Sequence, residues 1–221
     1  MIGCLGLAWG IFVLPQSEAA EDFRDAGSHL LRFETFGPAI FTRTLESQAA
    51  QHLGACDTHS QRAMLLMQIA LAQTALRSGA VNEFDSHTKS VETRSRQILS
   101  CSPRQSFVWL VLFDVEVQQG ILNEHSFDLL AMSYETSPNE GWISIRRALI
   151  AMPLVLTAPE SVRQRILNEF QLLIRYGFED VAARVYLSAP EPARSLLQTR
   201  IERLDSSKQK AFSDALQKFR A

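Results

Sequence analysis

Apolar residues recur at helical intervals along almost the whole chain, and nowhere do they alternate with polar residues in the period of two that marks a strand bounded by turns. Residues 18–35 place Phe23, Leu30, Leu31 and Phe33 at near-helical spacing, which predicts a helix ending before Gly37-Pro38. Pro38 suits the first turn of a second helix, running to about His52 and stopped by Gly54. Asp57 or Thr58 can cap a third, with Met64, Leu65, Ile69, Ala72 and Leu76 inward, up to Ser78-Gly79. A more polar helix from about Glu83 to Leu99 should bury only a narrow stripe. After Ser102-Pro103, Phe107, Trp109, Leu110, Leu112, Phe113 and Val117 are apolar almost all round, so this helix is expected to be enclosed by neighbours. Gly120 closes it. Ser126 to Tyr134, Asn139 to about Met152, and Pro159-Glu160 through to Tyr176-Gly177 follow as helices, with Pro153 as a breaker. Shorter helices are predicted around 178–188, 191–204 and 206–219.

One phrase occurs twice. Ser102-Pro103 leads to Trp109-Leu110, and Ser137-Pro138-Asn139 leads to Trp142-Ile143; the prolines stand 35 positions apart and the tryptophans 33. A period near 34 with a glycine break midway marks a helical hairpin that must stack on neighbours to bury its apolar face. The expected fold is therefore all-α: a right-handed helical-hairpin solenoid over 56–177, preceded by N-terminal helices over 17–55 and closed by capping helices over 178–221.

Segment 102–142 resembles a tetratricopeptide repeat. Trp109 and Leu112 stand at that motif's first-helix tryptophan and leucine, Gln119-Gly120 at the end of that helix, and Ser137-Pro138-Asn139 at its closing Asp-Pro-Asn. Phe113 and Glu116 depart from it, standing where the motif has a small residue and a tyrosine. The whole chain, with its apolar N-terminus, Cys-Ser-Pro, Trp-Leu and Ser-Pro-Asn-Glu-Gly-Trp-Ile, is also loosely similar to proteins encoded among bacterial exopolysaccharide synthesis and export genes. These resemblances imply a non-enzymatic scaffold for a protein partner in the bacterial envelope. The alternative function is that of a carbohydrate- or lipid-binding module with an aromatic-lined pocket.

The first 14 residues carry no charge, and residues 1–60 carry seven acids against three bases. An apolar run this short falls below the roughly 20 residues of a spanning helix and suits a signal-peptide core, with Ser17-Glu18-Ala19 as a small-x-small site. Residues 1–16 are accordingly expected to be a signal peptide or an inner-membrane anchor, placing the rest in the periplasm. With 221 residues and 46% hydrophobic content, the chain can cover a sizeable core. The net charge is only −2. The bases that collect in the last 29 residues lack interleaved aromatics, so no nucleic-acid partner is expected.

Cys56 and Cys101 each precede the first helix of a repeat unit, which puts them on one edge of a stack. In an oxidising compartment they either pair as a disulfide or stay as two buried thiols. His52, Cys56 and His59 have an H-x3-C-x2-H spacing but no fourth ligand nearby, so no metal is expected, and no cofactor motif occurs. Ser133, Ser161 and His125 sit in no nucleophile frame, so no catalytic residue is assigned. Arg146 and Arg147, just after Trp142, either line a partner groove or form the solvated turn of an amphipathic helix.

Overall fold

A computed structural model describes Phe23 and residues 37–219, and the chain divides into two compact units, Met1–Val108 and Trp109–Ala221. Among the described residues there is no strand, and the chain is all-α. The segment expected to be a signal or anchor, residues 1–16, lies outside the described residues. Among those that are described, no helix is long and apolar enough to cross a membrane.

The first unit contains α1 (Pro38–Leu45), α2 (Gln48–His52), α3 (Thr58–Ser78) and α4 (Val81–Cys101). One helix expected over 38–52 is two, and Ser47 is the reason. Its hydroxyl donates to the carbonyl of Thr44 at 2.8 Å and accepts from the amide of Ala50 at 3.2 Å, ending α1 and starting α2 with one side chain. Asp57 caps α3 through its carboxylate, which accepts from the amide and the hydroxyl of Ser60. Helices α3 and α4 form a long antiparallel hairpin. On α4 the buried stripe is Thr88, Val91, Ser95, Ile98 and Leu99, narrow as the polar sequence requires. Phe23, Phe41, Leu53, Met64, Met67 and Leu71 make a cluster in which α1 packs on α3. Met64, Leu65 and Ala72 are buried as expected, whereas Leu76, one turn from the end of α3, is exposed.

Helix α5 (Ser106–Gln118) begins in the last residues of the first unit; α6 (Glu124–Thr136), α7 (Gly141–Ala151), α8 (Glu160–Arg175), α9 (Glu179–Ser188), α10 (Arg194–Glu202) and α11 (Ser206–Lys218) complete the second. Phe107, Val108, Leu110, Val111, Leu112, Phe113 and Val115 of α5 are all buried, so it is enclosed around most of its circumference. Gly120, at φ 73°, ends it: the amide of Ile121 reaches back to the carbonyl of Glu116 at 2.8 Å and that of Gly120 to Val117 at 3.0 Å, a Schellman cap that needs the left-handed conformation.

Helix α8 is the centre of the second unit. It packs against α6, α7, α9, α10 and α11, burying Val162, Ile166, Phe170, Leu173 and Ile174. Phe212 of α11 stands edge-on to both Phe170 and Tyr186, each 5.8 Å away between ring centres, which locks α11 over α8 and α9. Two 3-10 turns, Met152–Leu154 and Glu191–Ala193, coincide with the proline breaks.

Candidate functional site

The second unit contains a cleft of about 390 Å³ lined by residues that include Pro138, Gly141, Ser144, Glu169, Leu172 and Tyr176. Two local sequence features shape it. Ser137-Pro138-Asn139 delays the start of α7 until Gly141, and the loop forms one wall. At the other side Gly177, with φ 90°, caps α8: Phe178 donates its amide to the carbonyl of Leu173 at 2.9 Å and Gly177 to Ile174 at 3.3 Å. That reversal sets Tyr176 and Phe178 at the cleft, with Tyr176 71% exposed. A Cβ on Gly141 would lie 4.0 Å from the Phe178 ring, an ordinary van der Waals contact, so the start of α7 and that ring adjoin at the cleft.

Beneath the cleft lies a buried polar cluster. Arg147 of α7 is 0% exposed and Glu169 of α8 is 4% exposed. Arg147 presents Nε at 2.9 Å and Nη2 at 2.8 Å to Glu169 Oε1, and Nη1 to the carbonyls of Ser133 and Ser137 at 2.8 and 3.0 Å. Tyr134 donates its hydroxyl to Glu169 Oε2 at 3.0 Å, and its ring stacks 4.5 Å beneath the guanidinium. Ser144 accepts from Arg147 Nη2 at 3.2 Å and hydrogen-bonds the Glu169 carboxylate. Burial pushes the Glu169 carboxyl above its usual range, against the pull of Arg147's charge and of the hydrogen bonds from Arg147, Ser144 and Tyr134. Burial, reinforced by the Glu169 charge, pushes the Tyr134 hydroxyl well up, so it stays protonated and donates. The cluster ties α6, the Ser137 turn, α7 and α8 together and gives the cleft a rigid polar floor.

Arg147 therefore corrects the sequence reading: it is neither a partner contact nor part of a solvated turn, because its position on α7 faces α6 and α8, where Glu169 supplies the counter-charge. Arg146, the next residue along α7, is half-buried, and the charge of Asp114 acts on it. Among the repeat positions, Leu112 is buried, Gly120 is the left-handed cap, and Pro138 lines the cleft. Trp109 and Trp142 are half-buried, whereas Phe113, which departs from the tetratricopeptide pattern, is 0% exposed. Cys56 and Cys101 are joined as a disulfide with Cα atoms 5.4 Å apart. They are the two free ends of one hairpin, the start of α3 and the last residue of α4, which places them closer than equivalent points on successive stacked units. Cys56 thus has its bond to Cys101, the side chain of His52 lies outside the described residues, and among the described residues no cluster of three His, Cys, Asp or Glu side chains is drawn together.

No protein-family model, curated protein or solved structure matches this chain.

Glu169, Tyr134, Tyr176 and Phe178 were not singled out by the sequence. Glu169 carried a usable signal. With Ile166, Phe170 and Leu173 it lies on the apolar stripe of α8, and a carboxylate there demands a buried cationic partner.

Proposed function

We propose that the chain is a non-enzymatic interaction scaffold of the bacterial envelope, in which tetratricopeptide-like helical hairpins present the α7–α9 cleft to an apolar side chain of a protein partner. The observation that carries the reading is the cleft itself: Tyr176 stands in solvent beside Leu172 and Phe178, above a floor whose charges are already paired with each other. Aromatic side chains of this kind are typical anchors of protein interfaces. Hairpin pairs that restart at Ser106 and Gly141, 35 positions apart, support the repeat. The disulfide supports a compartment outside the cytoplasm. A place in exopolysaccharide synthesis or export is part of the same proposal and rests on the sequence resemblance alone. Phe113, Phe127 and Phe170 are buried between helices and are not among the residues that line this cleft, which favours the scaffold over an aromatic-lined sugar or lipid site at the chain's centre.

The test is site-specific photo-crosslinking in the native cell, with the probe at position 176 or, as a control, at exposed Leu76 of the first unit. The proposal expects one discrete adduct from position 176 that is lost in Phe178→Ser and absent from position 76. Identical adduct patterns from both positions would sink it. A fusion of residues 1–30 to a reporter active only outside the cytoplasm checks the compartment, and activity confined to a cytoplasmic reporter would count against export.

A further inference from the structure

The first unit carries a second concavity, chemically unlike the α7–α9 cleft. It is a groove of about 400 Å³ formed by Ser86, Lys89, Ser90, Thr93, Arg94 and Gln97 of α4 with Gln68 of α3. Those α4 residues recur at three- and four-residue intervals, so they form one continuous strip along the helix. Its lining holds two cations and no carboxylate.

The guanidinium of Arg94 is held in place by neutral groups. Nε donates to Gln68 Oε1 at 2.8 Å, and Nη1 donates to Gln61 Oε1 and approaches Met64 Sδ at 3.5 Å. Gln61 is itself 4% exposed and fixed, its Nε2 donating to the carbonyl of Gly54 at 3.1 Å. The fork is thus oriented from behind, and Nη2 takes part in none of these bonds. Among the described residues no carboxylate pairs with Arg94, and burial lowers its pKa, as expected for a cation short of a counter-charge. The hydroxyls of the strip are committed differently. Ser90 donates to the carbonyl of Ser86 at 3.0 Å and Thr93 to that of Lys89 at 2.9 Å, so their oxygens are left as acceptors. A fixed guanidinium and an exposed ammonium beside hydroxyl acceptors fit a ligand that is anionic at one point and a hydrogen-bond donor around it.

We propose that this groove binds a hydroxylated oxyanion, an acidic or phosphorylated sugar residue, with its charged group on Arg94 and Lys89 and its hydroxyls donating to Ser90 and Thr93. The site is independent of the α7–α9 cleft and of the scaffold reading. A guanidinium and an ammonium accept carboxylate and phosphate alike, so the probes separate the two sources of charge.

The experiment titrates the full chain with glucuronate, glucose 6-phosphate, neutral glucose and inorganic phosphate at constant ionic strength, read by calorimetry. Saturable binding of glucuronate or glucose 6-phosphate is expected, with glucose at least about tenfold weaker, the loss that follows from removing a charge-assisted contact. Lys89→Ala, at an exposed position where folding is not at stake, should weaken the anion by a similar factor, and Ser90→Ala by less. Arg94→Gln should abolish binding; because Arg94 also bridges α3 and α4, circular dichroism must show that this variant is folded. The proposal is overturned by glucose binding as tightly as glucuronate, by Lys89→Ala leaving affinity unchanged, or by no heat from any anion up to about 10 mM, the weakest affinity worth the name of a site. Inorganic phosphate binding as tightly as glucose 6-phosphate overturns the role given to Ser90 and Thr93.

Discussion

Arg147 and Glu169 face each other in the interior of the second unit, with Nη2 of the one 2.8 Å from Oε1 of the other and both side chains almost completely withdrawn from water. A buried pair of this kind is stable only as a pair. Arg147→Met alone leaves the Glu169 carboxylate without its counter-charge and should cost about 3–5 kcal/mol in urea unfolding. The double variant Arg147→Met/Glu169→Leu removes both charges and should recover much of that loss. A double variant no more stable than the single one would show that Ser144 and Tyr134 matter more than the ion pair.

The disulfide makes a second prediction. Closing a loop with a sequence separation of 45 should stabilise the folded chain by about 4 kcal/mol in the chain-entropy view. Cys56→Ser/Cys101→Ser should lose that amount in chemical denaturation, and the melting temperature of the variant should be indifferent to dithiothreitol while that of the natural chain falls. Peptide mapping without reduction should recover Cys56 and Cys101 joined; two freely alkylated thiols would remove the covalent closure.

Helix α5 allows a ranking of truncations. Phe113 is 0% exposed and 6.1 Å from Phe127 between ring centres. Phe113→Ala should cost about 3–5 kcal/mol, the range for deleting a fully buried aromatic. Trp109→Ala should cost less, because Trp109 is half-buried. Thermal melts of the two variants decide the order, and the reverse order would place the weight of the helix on the repeat's tryptophan.

Stability should also depend on pH through Asp114. Burial, the largest influence, raises its carboxyl above the usual range, while the hydrogen bond from Gln118 and the charge of Arg146 pull it part of the way back. A raised carboxyl favours the fold while protonated, so its contribution is present below about 4, the ordinary aspartate range, and is lost as pH rises through the higher folded value. Asp114→Asn cannot ionise. It should be the more stable protein at neutral pH, with the two stability curves converging in acid; parallel curves across that range would show that Asp114 titrates as it does in the unfolded chain.

Most of the helices were legible because their signals are local. Asp57, Gly79, Gly120, Pro153, Pro159 and Gly177 stand at or within a residue or two of the helix ends the structure shows. The split at Ser47 was missed because an internal serine reads as an ordinary helical residue until its hydroxyl is seen bonding both ways. The cleft's floor was hidden for another reason. Arg147 and Glu169 lie 22 positions apart, and nothing short of the packing of α7 on α8 brings them together. Reading Arg146-Arg147 as one surface feature failed because adjacent helical residues point about 100° apart, so one faces the interior while its neighbour does not.

The bond between Cys56 and Cys101 also decides how the chain would respond to force. Tension applied at the two termini enters at Cys56 and leaves at Cys101 across a Cα separation of 5.4 Å, bypassing the whole of the α3–α4 hairpin. Stretched in an optical trap, the oxidised chain should release a contour shorter than its residue count implies by about 150 Å, the extended length of a sequence separation of 45 closed by the covalent ring. Adding reductant should restore that length in a single step.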